Sequence, residues 1–417
     1  MLVSAVNLGC KVNEYETQSI LNQLKNAGYE LVDWPAFADL YIVNTCAVTN
    51  TGEQKSRQFL SKITKINKDA KIVVVGCAVQ NNPEQFLKNK NVVAITGNQG
   101  KEQIEKIIKE QQRTLLEIDN QNYSSMSLPL ETKDRQFIKI QDGCNNFCSY
   151  CIIPYIRGRS RSRNLDEILD EIKQTKCKEI VLTGIDMSDY RINGEKALDK
   201  LVYEVDKLGV RFRISSLECS VITKEFVELL CNCKNFCPHF HLSLQSACNQ
   251  TLKRMNRHYT IEEFIEKVDL IRTHFKQASI STDIIAGFKG ETEQEFLDTL
   301  NNLKRIEFSF MHVFPYSERK GTNAEKLSGA VPKNVATQRV KILLELNAQF
   351  KKNFFSKNLG SIHDVLVEEK IDNQNFVGYT DNYIKTKIKA ESLPVGEIVT
   401  VKLVAVDGEE GMIAELI

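Results

Sequence analysis

Short β-branched runs alternate with amphipathic helical stretches from Met1 to about Glu345, and this rhythm confines the chain to α/β architectures. Parallel strands need long crossovers, and helices supply them. Up to about Gln112 the runs are VSAV, YIV, KIVVV and VVAI, with helices near Glu14 to Ala27, Gly52 to Ile66 and Pro83 to Lys88. They predict a small parallel α/β domain over residues 1–118, followed by a polar linker over 119–134. From Phe137 the rhythm recurs six times, through FIKIQ, EIVLTG, RFRISS, HFHLSL, ASISTDI and FSFMHVF. Right-handed crossovers curl six such units into a partial (β/α)6, TIM-like barrel over 135–355, with its site at the C-terminal strand ends. After a long helix from Lys333 to about Lys357 the period shifts to five short strands, HDVLVEE, NFVGYT, YIKTKI, EIVTVKLVAV and GMIAELI. These predict a small OB-like β-barrel over 356–417.

A length of 417 residues exceeds a single core and agrees with three units. No apolar run approaches the ~18 residues of a membrane span, and the first residues lack the basic and apolar regions of a signal peptide. A cytoplasmic protein with no membrane partner is the expectation. In that reducing compartment, twelve cysteines point to metal or catalytic thiolates rather than disulfides. The net charge of +1 offers no global footprint for nucleic acid, so such a role rests on local patches. One patch runs from Lys133 to Arg163, where Lys133, Arg135, Lys139, Arg157, Arg159, Arg161 and Arg163 face only Asp134 and Asp142.

GCNNFCSYC sets Cys144, Cys148 and Cys151 at the spacing C-x3-C-x2-C just past the first barrel strand. Three thiolates leave one iron of a 4Fe-4S cluster without a protein ligand. S-adenosylmethionine fills such a position through its amino and carboxylate groups, and an electron from the cluster then cleaves it to a radical. The competing reading, a structural zinc, wants a fourth Cys or His at matching spacing, and none follows closely. Tyr150, inside the motif, either packs on the adenine of that cofactor or seals the cluster from water. In the first domain three strands end in Cys10, Cys46 and Cys77, with 35 and 30 residues between them. The C-terminal ends of an open parallel sheet share one edge, so the three thiols can meet there. The alternative is that small cysteines simply fill buried strand ends.

The chain continues as CIIPYIRGRSRSRN and later reads VLTGI, RISSLE, HLSLQS, LKRMNRHYT, TDIIAGFKGETEQEF and HVFPYSERKGT. With NLGC, VNTC and VVGC around the first-domain cysteines, it closely resembles the radical S-adenosylmethionine methylthiotransferases over essentially its whole length. The resemblance implies two 4Fe-4S clusters, one on Cys144, Cys148 and Cys151 and an auxiliary one on Cys10, Cys46 and Cys77, with all six cysteines catalytic. It also implies two molecules of S-adenosylmethionine per turnover. One methylates a sulfur carried at the auxiliary cluster, and the other yields a 5′-deoxyadenosyl radical. An electron donor such as flavodoxin or ferredoxin and a separate sulfur source are implied as partners. GCKVNEYET, and NTCAVTN followed by EQKSRQ, resemble the branch acting on N6-threonylcarbamoyladenosine at position 37 in the tRNA anticodon loop. Sister branches use isopentenyladenosine in tRNA or a ribosomal-protein aspartate. The alternative of another class is a nonenzymatic iron-sulfur protein that binds RNA or senses redox state.

Thr183, Gly184, Ser216, Glu218, Gln245 and Asp283, at barrel strand ends, join Tyr150 as candidates to hold the cofactor, or else cap helices. Arg157, Arg159, Arg161 and Arg163 alternate with other residues, so an extended backbone turns all four guanidiniums to one side. That row suits either an RNA backbone or a set of structural ion pairs. Lys55 and Arg57, on the second helix, face solvent or tRNA. The tail resembles the TRAM RNA-binding module, yet its six lysines meet eleven Asp and Glu. RNA contact then falls to Lys385, Lys387 and Lys389, with Phe376, Tyr379 and Tyr383 available to stack on bases. Cys231, Cys233 and Cys237 read as free thiols, as do Cys177, Cys219 and Cys248.

Overall fold

A computed structural model describes residues 1–132 and 134–417; Lys133, counted above in the basic patch, lies outside the described residues. The first unit is a parallel sheet of β1 (Leu2–Asn7), β2 (Glu30–Leu31), β3 (Leu40–Thr45), β4 (Lys71–Gly76) and β5 (Val92–Thr96), in the order β2-β1-β3-β4-β5. Every residue of β3 is buried, as expected of a central parallel strand covered on both faces. Helix α1 (Lys11–Asn26) follows β1, α2 (Asn50–Ile66) follows β3, and α3 (Cys77–Asn81) follows β4. The helix expected near Pro83 to Lys88 is a single turn, Glu84–Leu87, and the unforeseen α3 begins at Cys77 itself. The turn into α3 requires Gly76: its φ is +96°, and a Cβ there would stand 2.3 Å from Asn44 Oδ1.

The second unit opens with β6 (Arg135–Lys139), the edge of a three-stranded parallel sheet with Glu179–Thr183 and Arg211–Ile214. A second parallel sheet continues through Ser216–Leu217, His239–Leu242, Ser279–Ala286 and Phe310–Pro315. The RFRISS run is thus divided at Ser215 between two sheets, and the partial barrel stays open between β6 and Phe310–Pro315. Its outward strand residues Ile138, Leu182, Phe212, Phe240 and Ile280 pack on Ile168, Leu201, Val227, Phe264 and Leu303 of the covering helices. On His239–Leu242 the alternate residues His239 and His241 turn the other way and reach Ser281 at 3.3 and 3.0 Å.

The first unit bridges the open side of the barrel. Helix α1 is buried on two faces, with Ile20 and Leu24 in its own core and Tyr15 and Glu16 against the barrel. Tyr15 donates to Glu171 at 3.0 Å. On the far side Arg319, beyond the last strand, pairs with Glu53 at 2.6 Å, and the Asn50 N–H bonds Ser317 Oγ at 3.1 Å.

The tail closes a five-stranded barrel from Ile362–Lys370, Asn375–Thr380, Lys385–Lys389, Gly411–Leu416 and Ile398–Asp407, in that spatial order. It docks on the N-terminal ends of the large barrel's strands through Glu179. That buried carboxylate binds Arg135, Arg211 and Arg213 at 2.9, 2.7 and 2.8 Å, and Arg213 also donates to the Thr380 and Asp381 carbonyls at 2.6 and 2.7 Å. This corrects the reading of Phe376 as a ring available to stack on bases. Phe376 is 2% exposed in the tail core, and Tyr383 stacks on His239 at 4.4 Å with Tyr379 stacked 4.9 Å beyond it. The stacked Tyr383 and His239 fasten the tail to the barrel, while Tyr379 and Tyr383 stay half-buried and line the cavity between the tail and the last barrel strand.

Burial alone would raise the Glu179 carboxyl, but Arg213, Arg211 and Arg135 outweigh it and hold it at about 2. Its folded value lies below the ordinary 4.5, so its stabilising contribution is present above that pH and is lost as the pH falls towards about 2. Glu179→Gln leaves three arginines facing a neutral group and is expected to cost about 3–5 kcal/mol in urea unfolding at pH 7. The variant should also lose stability less steeply than the parent between pH 4.5 and 2.

Candidate active site

The loop after β6 carries the first cysteine trio and is built by close backbone approaches. Gly143 has φ +74°, and a Cβ there would lie 1.9 Å from the Arg159 carbonyl, so only glycine lets the chain turn into Cys144. The Cys144 N–H bonds the Gly158 carbonyl at 3.1 Å, the Cys151 N–H bonds that of Cys148 at 2.9 Å, and Ser149 is tied to the Arg254 and Met255 carbonyls at 2.7 and 2.9 Å. Arg257 reaches back to donate to Cys148 Sγ at 3.3 Å and ion-pairs with Glu218.

A cavity of about 190 Å³ opens over the trio, at the C-terminal strand ends. Of the residues expected to hold a cofactor, Tyr150, Ser216, Glu218 and Gln245 line it. Tyr150 also meets Phe288 edge-on at 6.4 Å. Thr183 and Gly184 do not line it: Thr183 is 2% exposed with its carbonyl bound by the Ile140 N–H, and Gly184 abuts Gln141 and Met187. The next two residues, Ile185 and Asp186, take their place on the wall. Asp283 is also off the wall, paired with His241 at 3.3 Å, with its carbonyl bound by the Gln245 N–H. Asp186 and Arg257 escaped the sequence reading, although Arg257 lies within LKRMNRHYT. Burial first, and then the Glu218 and Asp189 carboxylates, lift the Asp186 carboxyl to about 6.

The second trio lies on three adjacent strands. Cys46 directly follows β3, Cys77 opens α3 after β4, and Cys10, three residues past β1, caps α1. Cys10 is exposed, Cys46 half-buried and Cys77 buried. Burial and the neighbouring Cys77 push the Cys46 thiol up to about 11. Ile152 and Ile156, just past the first trio, pack into the core of the first unit, so one short segment joins the two cysteine sites.

The arginine row does not exist as a row. Arg157 follows the turn Ile153–Ile156, Gly158 has φ +78°, and only Arg161–Ser162 is extended, so the side chains diverge. Arg157 is fully buried in contact with Glu16, Asp142, Asn13 and Cys77; Arg161 donates to the Arg157 and Arg159 carbonyls; Arg163 pairs with Glu171. Arg159 alone is exposed, with its guanidinium 4.4 Å from the Phe147 ring centre. Three of the four are therefore structural, Arg157 and Arg163 in ion pairs and Arg161 on backbone carbonyls. Lys55 is exposed, whereas Arg57 is held by Gln85 at 2.6 Å. Lys385 and Lys389 are exposed and Lys387 half-exposed on one face of their strand, as alternation requires. Lys385 borders a cavity of about 530 Å³ between the tail and the last barrel strand, lined also by Phe310, His312, Phe314 and Lys351.

Among the described residues, no three Cys, His, Asp or Glu side chains converge as ligands of one metal ion. Cluster ligands bind separate irons and do not need to converge. Metal ligation requires thiolates, which burial opposes: it pushes Cys151 up to about 12. Each trio has one buried arginine on a sulfur to offset this, Arg257 on Cys148 and Arg157 on Cys77. The donor sets fit two iron-sulfur clusters.

Comparison with known proteins agrees with this geometry. The Radical SAM superfamily model matches residues 138–303, that of uncharacterized protein family UPF0004 matches 3–97, and the TRAM domain matches 356–408. The threonylcarbamoyladenosine tRNA methylthiotransferase MtaB of Bacillus subtilis (strain 168) is 40% identical, covering 95% of this chain and 92% of the relative. Its namesake from Aquifex aeolicus (strain VF5) is 38% identical over 96% and 100%. Among solved structures, the radical S-adenosylmethionine methyltransferase TsrM of Kitasatospora setae, with cobalamin and a [4Fe-4S] cluster bound, shares the fold at TM-score 0.56 and 16% identity, covering 75% of this chain and 74% of that one. Matched over at least 95% of its length by relatives at this identity, the chain belongs to the radical S-adenosylmethionine methylthiotransferase family.

Proposed function

We propose that this protein is a tRNA methylthiotransferase that converts N6-threonylcarbamoyladenosine at position 37 of the anticodon loop to its 2-methylthio derivative. The observation that carries the reading is the whole-length identity to relatives of that name, joined to two cysteine trios linked by one short segment. Cys144, Cys148 and Cys151 hold one 4Fe-4S cluster, and Cys10, Cys46 and Cys77 the other. When bound, these clusters supply the electron that cleaves S-adenosylmethionine and the site at which sulfur is methylated, with two molecules of S-adenosylmethionine used per turnover. The electron comes from a small donor protein such as flavodoxin or ferredoxin, and sulfur from a separate source. The work is cytoplasmic, where tRNA is available.

The chain's own groups bind and orient. Ser216, Glu218, Gln245, Asp186 and Tyr150 wall the cavity over the first trio, and Arg257 fixes Glu218 so that one carboxylate edge remains for a ligand hydroxyl or ammonium. RNA phosphates fall to Lys55, Arg159, Lys385, Lys387 and Lys389, and the exposed Phe314 ring beside Lys385 offers a stacking surface.

Three outcomes are expected. Expression in a strain lacking its own methylthiotransferases should yield 2-methylthio-threonylcarbamoyladenosine by nucleoside mass spectrometry; a methylthiolated isopentenyladenosine instead would overturn the substrate. Cys10→Ala should still form 5′-deoxyadenosine under reduction while product falls below detection, and undiminished product would sink the two-cluster scheme. Replacing Lys385, Lys387 and Lys389 together with Ala should flatten the salt dependence of tRNA binding, lowering the slope of log K against log salt by about 2.

A further inference from the structure

Arg157 lies six residues past Cys151, yet its side chain leaves the barrel and ends inside the first unit, with no exposed surface. All five of its N–H donors are used. Nε donates to Cys77 Sγ at 3.3 Å. Nη1 donates to Glu16 Oε1 and Asp142 Oδ1, both at 3.0 Å, and Nη2 to Asn13 Oδ1 at 2.7 Å and Glu16 Oε2 at 3.3 Å. Asn13 sits on the helix that Cys10 caps, and Asn98, bound to the Ile156 carbonyl at 2.8 Å, accepts from Cys77 Sγ at 3.6 Å. One contact between the two units is therefore built around Cys77 Sγ.

The charges around Arg157 do not balance by themselves. Among the described residues, Arg157, Lys101 and Lys139 meet only Glu16 and Asp142 as counter-ions, all buried, which leaves one positive charge over. An uncompensated buried charge is costly. A 4Fe-4S core in its dication state held by three thiolates carries one net negative charge, and the second trio touches this group through Cys77.

We infer that Arg157 is a positioning residue for the cluster on Cys10, Cys46 and Cys77, raising its reduction potential through the N–H bond to Cys77 and making its retention depend on contact between the two units. The inference rests on the two-cluster reading above. Donors and positive charge at cluster sulfurs favour the reduced, more negative state, hence the direction.

The test uses the full chain with Cys144, Cys148 and Cys151 all changed to Ala, so that iron reports only on the second trio after anaerobic reconstitution. Arg157→Lys keeps the charge but not the planar fork. Arg157→Met with Glu16→Gln removes a cation and a carboxylate together and leaves the same excess charge. In redox titrations followed by electron paramagnetic resonance, the double variant should show a tenfold or larger drop in reduced-to-oxidised ratio at fixed potential, about 59 mV downward, with a smaller shift for Arg157→Lys. If the double variant retains no iron, a lower midpoint in Arg157→Lys supports the inference and an unchanged one overturns it. A full complement of iron at an unchanged midpoint in the double variant also overturns it, leaving the two-cluster reading intact. No iron in the parent with Arg157 present would overturn both.

Discussion

Glu16 is the hinge on which the arrangement depends. It is 1% exposed, on the inner face of α1, and accepts from Lys101 of its own unit and from Lys139 and Arg157 of the barrel. Burial alone would raise its carboxyl, but the Arg157, Lys101 and Lys139 charges hold it well below the usual carboxylate range. A buried carboxylate shared between two units is stable only while all its cations are present, so the ion group fixes how the units sit. It does so beside Cys10 and Cys77, which converts a packing constraint into a constraint on chemistry.

The same logic recurs at the other end of the barrel. Glu179 gathers Arg135, Arg211 and Arg213 where the tail docks, and Arg213 carries the bond network into the Thr380 and Asp381 carbonyls. The first unit covers the open side near the cluster-bearing loop, and the tail closes the opposite end of the strands. The cavity over Cys144, Cys148 and Cys151 is left at the C-terminal strand ends, away from the tail and walled by the barrel's own residues, where parallel α/β barrels carry their sites.

Legibility in the sequence followed the range of the interaction. Element type was legible because periodicity is local, and the strand-end cysteines were legible because parallel sheets align their C-terminal ends. The three tail lysines share a face as their alternation implied. The alternation of Arg157 to Arg163 carried the same local signal and misled, because a helical turn and Gly158 interrupt the strand it assumed. Phe376 misled similarly, since an aromatic in a short strand reads alike whether it faces a core or a base.

The sequence by itself determined the three-part order, the two cysteine trios and the family to which their spacing belongs, since these rest on residue types at fixed separations along the chain. Only the tertiary structure decided what Arg157 and Arg257 do. Each meets its sulfur from 80 or 109 residues away, Cys77 and Cys148 respectively, the first through a contact that exists only once two units are docked and the second only once the barrel has closed on its own loop. Charge alone does not reveal whether an arginine faces solvent, a phosphate or a buried thiolate; the partner across the interface does.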